Sequence, residues 1–166
     1  MKILYYGSAC DEEWFVEASK IKKMPSYVAQ YKFEMALLNG FSEIDDIDME
    51  THYLYQENYY PTGHFLKFKS KIKKINQRYK VKYISYINLP LLKEIDFFLK
   101  GLLITLKWAV KNRKNKEKII FTPFNYTPLS LGVWLAAKLA RIKRANVFTD
   151  LSSDIINKER QANMIF

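Results

Sequence analysis

Three short stretches carry side chains and backbone groups suited to holding or reacting with a ligand. Asp150 follows the apolar run from Ala145, with Thr149 before it and Ser152 close behind. A carboxylate so flanked can take a proton from a sugar hydroxyl, or it can close an Asx-turn or cap a helix. Asn125, Tyr126 and Thr127 immediately precede Pro128, the arrangement expected where a capped helix aims its positive end at hydroxyls or an anion. Gly7, Ser8 and Ala9 end the first apolar run with small residues and free amides, which a phosphate or a sugar can approach closely. An ordinary strand-ending glycine has the same look, and neither a GxGxxG nor a P-loop pattern is present.

Other combinations point away from metal or thiol chemistry. Asp46-Ile47-Asp48 has DxD spacing but sits in an acidic turn after a helix stop, so a solvated turn accounts for it. His52 and His64 are separated and lack partners at zinc-ligand spacing. Cys10 is the sole cysteine and has no base beside it. Neither a metal nor a cofactor is expected.

For these residues to meet, the elements before them must be parallel strands, because the ligand crevice of an open α/β sheet lies beyond the strands' carboxyl ends. The expected strands are Lys2 to Tyr6, Met49 to Tyr55, Lys82 to Ile87, Lys118 to Thr122 and Ala145 to Thr149. Helices are expected from Ser26 to the Asn39-Gly40 stop, from Leu89 to about Lys111 with Asn88 as cap and Pro90 as opener, and from the Thr127 cap through Leu139 to the basic end at Arg141, Lys143 and Arg144. Phe65, Phe68, Ile72, Ile75 and Tyr79 recur at spacings of three and four, opposite Lys67, Lys69, Lys71, Lys73, Lys74 and Arg78. That pattern predicts a basic amphipathic helix, either a solvated outer face or one that lies on an anionic membrane. Alternating strands and helices predict an α/β domain with a Rossmann-like parallel sheet and helices on both faces.

The composition agrees with a single domain. The chain has 166 residues, 49% of them hydrophobic and 16% aromatic, enough apolar material for one core and against intrinsic disorder. A formal charge of +10 favours anionic partners. The N-terminus lacks the long apolar run of a signal peptide, and the stretch from Ile95 to Val110 is interrupted by Lys100, Gly101 and Lys107, short of a spanning helix. A cytoplasmic protein, peripheral at the inner face of the membrane, is expected.

In order and spacing the chain resembles the N-terminal domain of GT-B glycosyltransferases, specifically family 4. The resemblance is carried by Met1 to Gly7, by Phe33-Glu34-Met35-Ala36-Leu37-Leu38-Asn39-Gly40-Phe41, by Asn88-Leu89-Pro90, by Pro128 to Gly132, and by Val147-Phe148-Thr149-Asp150-Leu151. It implies one GT-B half: residues 1–155 as the acceptor-side Rossmann-like domain, and 156–166 as a segment leading toward a donor-binding domain that these residues lack. It also implies a hexosyltransferase-type enzyme moving a sugar from a nucleotide-sugar donor to a hydroxyl of a glycan or glycolipid, as in polysaccharide biosynthesis. Asp150 would be the catalytic carboxylate, standing where many relatives place a histidine. Gly7, Ser8, Asn125, Tyr126 and Thr149 would bind the acceptor. The family's glutamate pair with seven residues between belongs to the donor domain and has no counterpart here, so a fragment inactive on its own is expected. The alternative is a non-enzymatic basic Rossmann-like module binding anionic lipid or nucleic acid. No recognised nucleic-acid motif is present, and nucleic acid is not the expected partner.

Overall fold

The computed structural model describes residues 1–8, 27–55, 58–63, 65–74, 79–122 and 126–147. The strands are β1 (Lys2–Gly7), β2 (Asp48–Tyr53), β3 (Lys67–Phe68), β4 (Lys71–Lys74), β5 (Lys80–Tyr83), β6 (Tyr86–Ile87), β7 (Lys118–Thr122) and β8 (Lys143–Asn146). The helices are α1 (Tyr27–Ser42), α2 (Leu92–Lys111) and α3 (Thr127–Ala140). Among the described residues six strands form one sheet in the order β4-β5-β2-β1-β7-β8, while β3 and β6 pair separately. All neighbours in the larger sheet are parallel except β4, which runs antiparallel to β5 at one edge. The expected α/β class with a Rossmann-like sheet is what the chain adopts.

The apolar run of β1 explains its central place. Ile3, Leu4, Tyr5 and Tyr6 are all buried, as a strand covered on both faces requires. Neighbouring side chains on a strand point to opposite faces, so Tyr5 and Tyr6 locate the two helical layers. The Tyr5 ring packs against Phe41 of α1, with centroids 6.5 Å apart. The Tyr6 hydroxyl shares a 2.9 Å hydrogen bond with Thr105 of α2. Hence α1 covers one face and α2 the other, and α3 lies beside α2.

The connection β1-α1-β2 steps one way along the sheet, whereas β7-α3-β8 steps the other. Right-handed crossovers then demand helices on opposite faces. The reversal falls between β1 and β7, and the crevice beyond their carboxyl ends is where such folds bind ligands.

Two close approaches shape the α2–α3 layer. A Cβ on Gly132 would stand 2.1 Å from the Phe98 carbonyl oxygen, and one on Gly101 would stand 2.6 Å from that of Leu129. Phe97 touches the Tyr126 ring at the head of α3, so the helices run in the same direction, their amino ends both at the crevice. The left-handed backbone of Arg141, φ 54°, closes α3 with the Ile142 amide donating to Ala137 at 2.9 Å.

Several expected elements take a different form. Where the basic amphipathic helix over Phe65 to Tyr79 was expected, the described residues form β3 and β4: Lys71 to Lys74 pairs with β5, and Phe68 stacks on Tyr55 and Tyr86 at 5.4 and 4.4 Å; residues 75–78 lie outside the described residues. An aromatic stack and a backbone ladder outweigh the helical spacing. The single strand over Lys82 to Ile87 divides into β5 and β6, and the last strand begins at Lys143, so Lys143 and Arg144 belong to β8 rather than to the end of α3. Helix α1 continues through Gly40 to Ser42. Asn88 does not cap α2; its amide donates to the carbonyls of Asn58 and Phe65 at 2.6 and 3.1 Å, and Leu91 occupies the N-cap with φ 62°. The N-cap of α3 is Tyr126 instead of Thr127, without a side-chain capping bond. Among the described residues no helix is long and apolar enough to cross a membrane.

Candidate functional site

Gly7 and Ser8 leave β1 at the switch point, and Tyr126 stands at the head of α3, after β7. These expected acceptor-binding residues therefore reach the carboxyl edge of the sheet. Asn125, Thr149 and Asp150, together with residues 156–166, lie outside the described residues.

The surroundings of Gly7 and Ser8 are filled by the protein itself. Glu34, fully buried on α1, accepts the Ser8 amide at 2.9 Å and the Ser8 hydroxyl at 2.8 Å. A Cβ on Gly7 would come within 2.4 Å of the Tyr53 ring and 2.5 Å of Glu34 Oε2. The glycine thus admits Tyr53 and Glu34, and Ser8 ties the loop to α1. Burial first, then the Glu34 charge, pushes the Tyr5 phenol well above its ordinary range; Tyr53 is raised by burial and by the charges of Tyr5, Glu34 and Tyr83. Both stay protonated at any physiological pH.

A second group lies around the amino ends of α2 and α3. The Tyr59 hydroxyl donates to Glu94 Oε1. The Tyr126 phenol is raised by burial, then by the charges of Glu94 and Tyr59 and by hydrogen bonding with Glu94. Lys93, buried on the same turn of α2, places its ammonium 5.0 Å from the Tyr59 ring centroid and 5.4 Å from that of Tyr86, a cation–π arrangement. Phe97 links Tyr86 to Tyr126, with centroids 4.6 and 5.3 Å away. The enclosed oxygens Glu94 Oε2 and Asn88 Oδ1 meet no hydrogen-bond donor within standard geometry among the described residues. Enclosed acceptors without a donor are uncommon in folded chains.

The chemistry available here is hydroxyl recognition. Glu94 can accept hydrogen bonds from two directions, Tyr59 and Tyr126 can donate or accept, and the Tyr59 ring, 41% exposed, offers a face for stacking. Sequence reasoning placed Tyr126 at this edge and passed over Tyr59, Lys93 and Glu94. Lys93 carries no local signal, since a lysine on a helix normally meets water.

Among the described residues no three or more His, Cys, Asp or Glu side chains form a group that could hold a metal ion. His52, buried in β2, instead meets Glu50 at 3.1 Å, and Lys111 lies 3.4 Å from the other Glu50 oxygen. Comparison with protein-family models, with curated proteins and with solved structures finds no match.

Proposed function

We propose that this chain is the acceptor-binding N-terminal domain of a glycosyltransferase that moves a sugar from a nucleotide-sugar donor to a hydroxyl of a glycan or glycolipid. The observation that carries the reading is the set Tyr59, Glu94 and Tyr126 at the carboxyl edge of a parallel sheet. Phenols around a carboxylate, with an aromatic face beside them, suit a polyhydroxylated ligand better than a phosphate, which Glu94 would repel.

In this reading Glu94 orients the acceptor hydroxyl and Asp150 takes its proton as the new glycosidic bond forms. Asn125 and Thr149 border the acceptor, and Gly7 and Ser8, whose surroundings Tyr53 and Glu34 fill, anchor the end of β1 to α1. The donor is held by a second domain outside these residues.

The test combines binding and transfer. Ligand-observed NMR with the purified chain should show saturation transfer to saccharide acceptors and little to sugar nucleotides. Glu94→Gln and Tyr126→Phe should each weaken acceptor binding about tenfold, the worth of a charge-assisted hydrogen bond. The full-length protein should transfer sugar from a nucleotide donor, and Asp150→Asn should abolish that transfer. Tight binding of a sugar nucleotide by the isolated chain, or saccharide binding indifferent to both crevice substitutions, would overturn the reading.

A further inference from the structure

The outer surface of the α2–α3 layer is apolar where solvent reaches it. On α2, Leu92, Ile95, Leu99, Leu103 and Val110 are between 44% and 66% exposed, and Leu91 before them is 76% exposed. On α3, Leu131, Trp134 and Leu139 are between 46% and 64% exposed. Scattered leucines of this kind need no explanation, but a contiguous set does.

Helical geometry makes these residues contiguous. At about 100° per residue, Ile95, Leu99 and Leu103 occupy the arc of α2 between its α3-facing edge at Phe98 and Leu102 and its lysine edge at Lys100 and Lys107. On α3, Leu131, Leu135 and Leu139 occupy the arc beside Gly132 on the side away from buried Leu129 and Val133. The two arcs therefore meet along the outer seam where Gly101 and Gly132 bring the helices together. Leu91 extends the arc at the crevice end, with a positive φ that a leucine adopts only at a cost.

Cations outnumber carboxylates around this surface. Helix α3 carries no carboxylate. On α2, Asp96 is paired with Lys100 at 2.6 Å and Glu94 is engaged by Tyr59. Exposed Lys107 and Lys138 flank the arcs, and Arg113, Lys114, Lys116 and Arg141 gather at the carboxyl ends of the two helices. Lys138 sits 5.2 Å from the Trp134 ring centroid. Leucine, isoleucine and tryptophan bordered by lysine and arginine is the composition of a face that lies in a lipid headgroup layer.

We infer that the α2–α3 outer face docks on an anionic phospholipid bilayer, seating the apolar seam among the acyl chains while the basic rim meets lipid phosphates. This places membrane contact on α2 and α3 instead of on the segment from Phe65 to Tyr79. It also puts the head of α2, with Tyr59 and Glu94, next to the lipid surface. The inference does not depend on sugar transfer.

Vesicle flotation tests it. The purified chain should bind vesicles of phosphatidylcholine mixed with phosphatidylglycerol, bind pure phosphatidylcholine far less, and lose affinity as salt rises. Leu99→Glu with Leu103→Glu should weaken binding by about a hundredfold, roughly tenfold per leucine withheld from lipid. Ile72→Glu, on exposed β4, should leave binding unchanged, and circular dichroism should confirm that all variants fold. In a Trp14→Phe chain, where buried Trp108 is the other emitter, brominated lipid should quench the part of the emission that a further Trp134→Phe substitution removes, locating the contact independently. No binding of the unsubstituted chain to anionic vesicles, equal binding by the double variant, or concentration-dependent dimerisation that the double variant abolishes without any vesicle binding would each overturn it. None of these readouts involves a sugar, so their failure leaves the proposed transfer reaction standing, and failure of transfer leaves the membrane contact standing.

Discussion

Gly101 and Gly132 are reciprocal: each takes the place where a side chain would strike the other helix's backbone, at Leu129 for the first and at Phe98 and Leu102 for the second. The α2–α3 spacing is set by these two missing methyl groups.

Gly132→Ala should therefore destabilise the chain by about 3 kcal/mol, because the methyl meets backbone that cannot rotate away. Gly40→Ala is the control. Nothing lies within 4 Å of a Cβ there and the position is helical, so alanine should stabilise by about 1 kcal/mol and raise the Tm by about 2–4 °C. Opposite signs in thermal melts are the expected result; equal effects would show that helix propensity and not contact governs both.

Tyr6→Phe removes the hydroxyl that joins β1 to Thr105. Both groups are buried, so the loss should cost about 1–2 kcal/mol in urea unfolding. A neutral result would mean that Thr105 satisfies itself on its own helix.

Glu50 is held down to about 2 by its hydrogen bond with His52, against the smaller opposing effect of burial, with charge contributions from His52 and Lys111. A carboxyl whose folded value lies below its unfolded one adds stability that is fully present above the unfolded value, near 4.5. That stability is lost as pH falls toward about 2. Solvent screening at this 41% exposed side chain keeps the effect small. Chemical unfolding between neutral pH and strong acid should show a shallower decline for Glu50→Gln than for the unsubstituted chain.

Arg141→Gly should stabilise by about 1 kcal/mol, since the left-handed conformation closing α3 suits a residue without Cβ. A lower midpoint in thermal melts would show that the arginine side chain contributes more than its backbone costs.

Strands bounded by breakers were the most legible part of the chain. β7 was readable as Lys118 to Thr122 because a continuous apolar run stopped at a proline, and β1 because it stopped at a glycine. The segment from Phe65 to Tyr79 misled because its aromatic residues also satisfy helical spacing. Lys71, Ile72 and Lys73 alternate as well, and only the antiparallel pairing with β5, where Ile72 faces Lys82 and Lys73 faces Val81, decides between the two periods. Gly7, Ser8 and Tyr126 were placed at the carboxyl edge of the sheet because that position follows from strand ends. Glu34 was invisible: a glutamate in mid-helix normally meets water, and only the close approach of Gly7 and Ser8 encloses it. Glu94 was masked in the same way, by placement on a helix whose first turn happens to face the crevice.

The outermost strands of the described sheet carry the same charge, Lys71, Lys73 and Lys74 on β4 and Lys143 with Arg144 on β8. Open strand edges invite pairing with another molecule, and cationic side chains on both make every edge-to-edge encounter repulsive. Colloidal behaviour follows: neutralising those cations with a polyanion such as heparin should release the brake and turn a clear concentrated solution turbid.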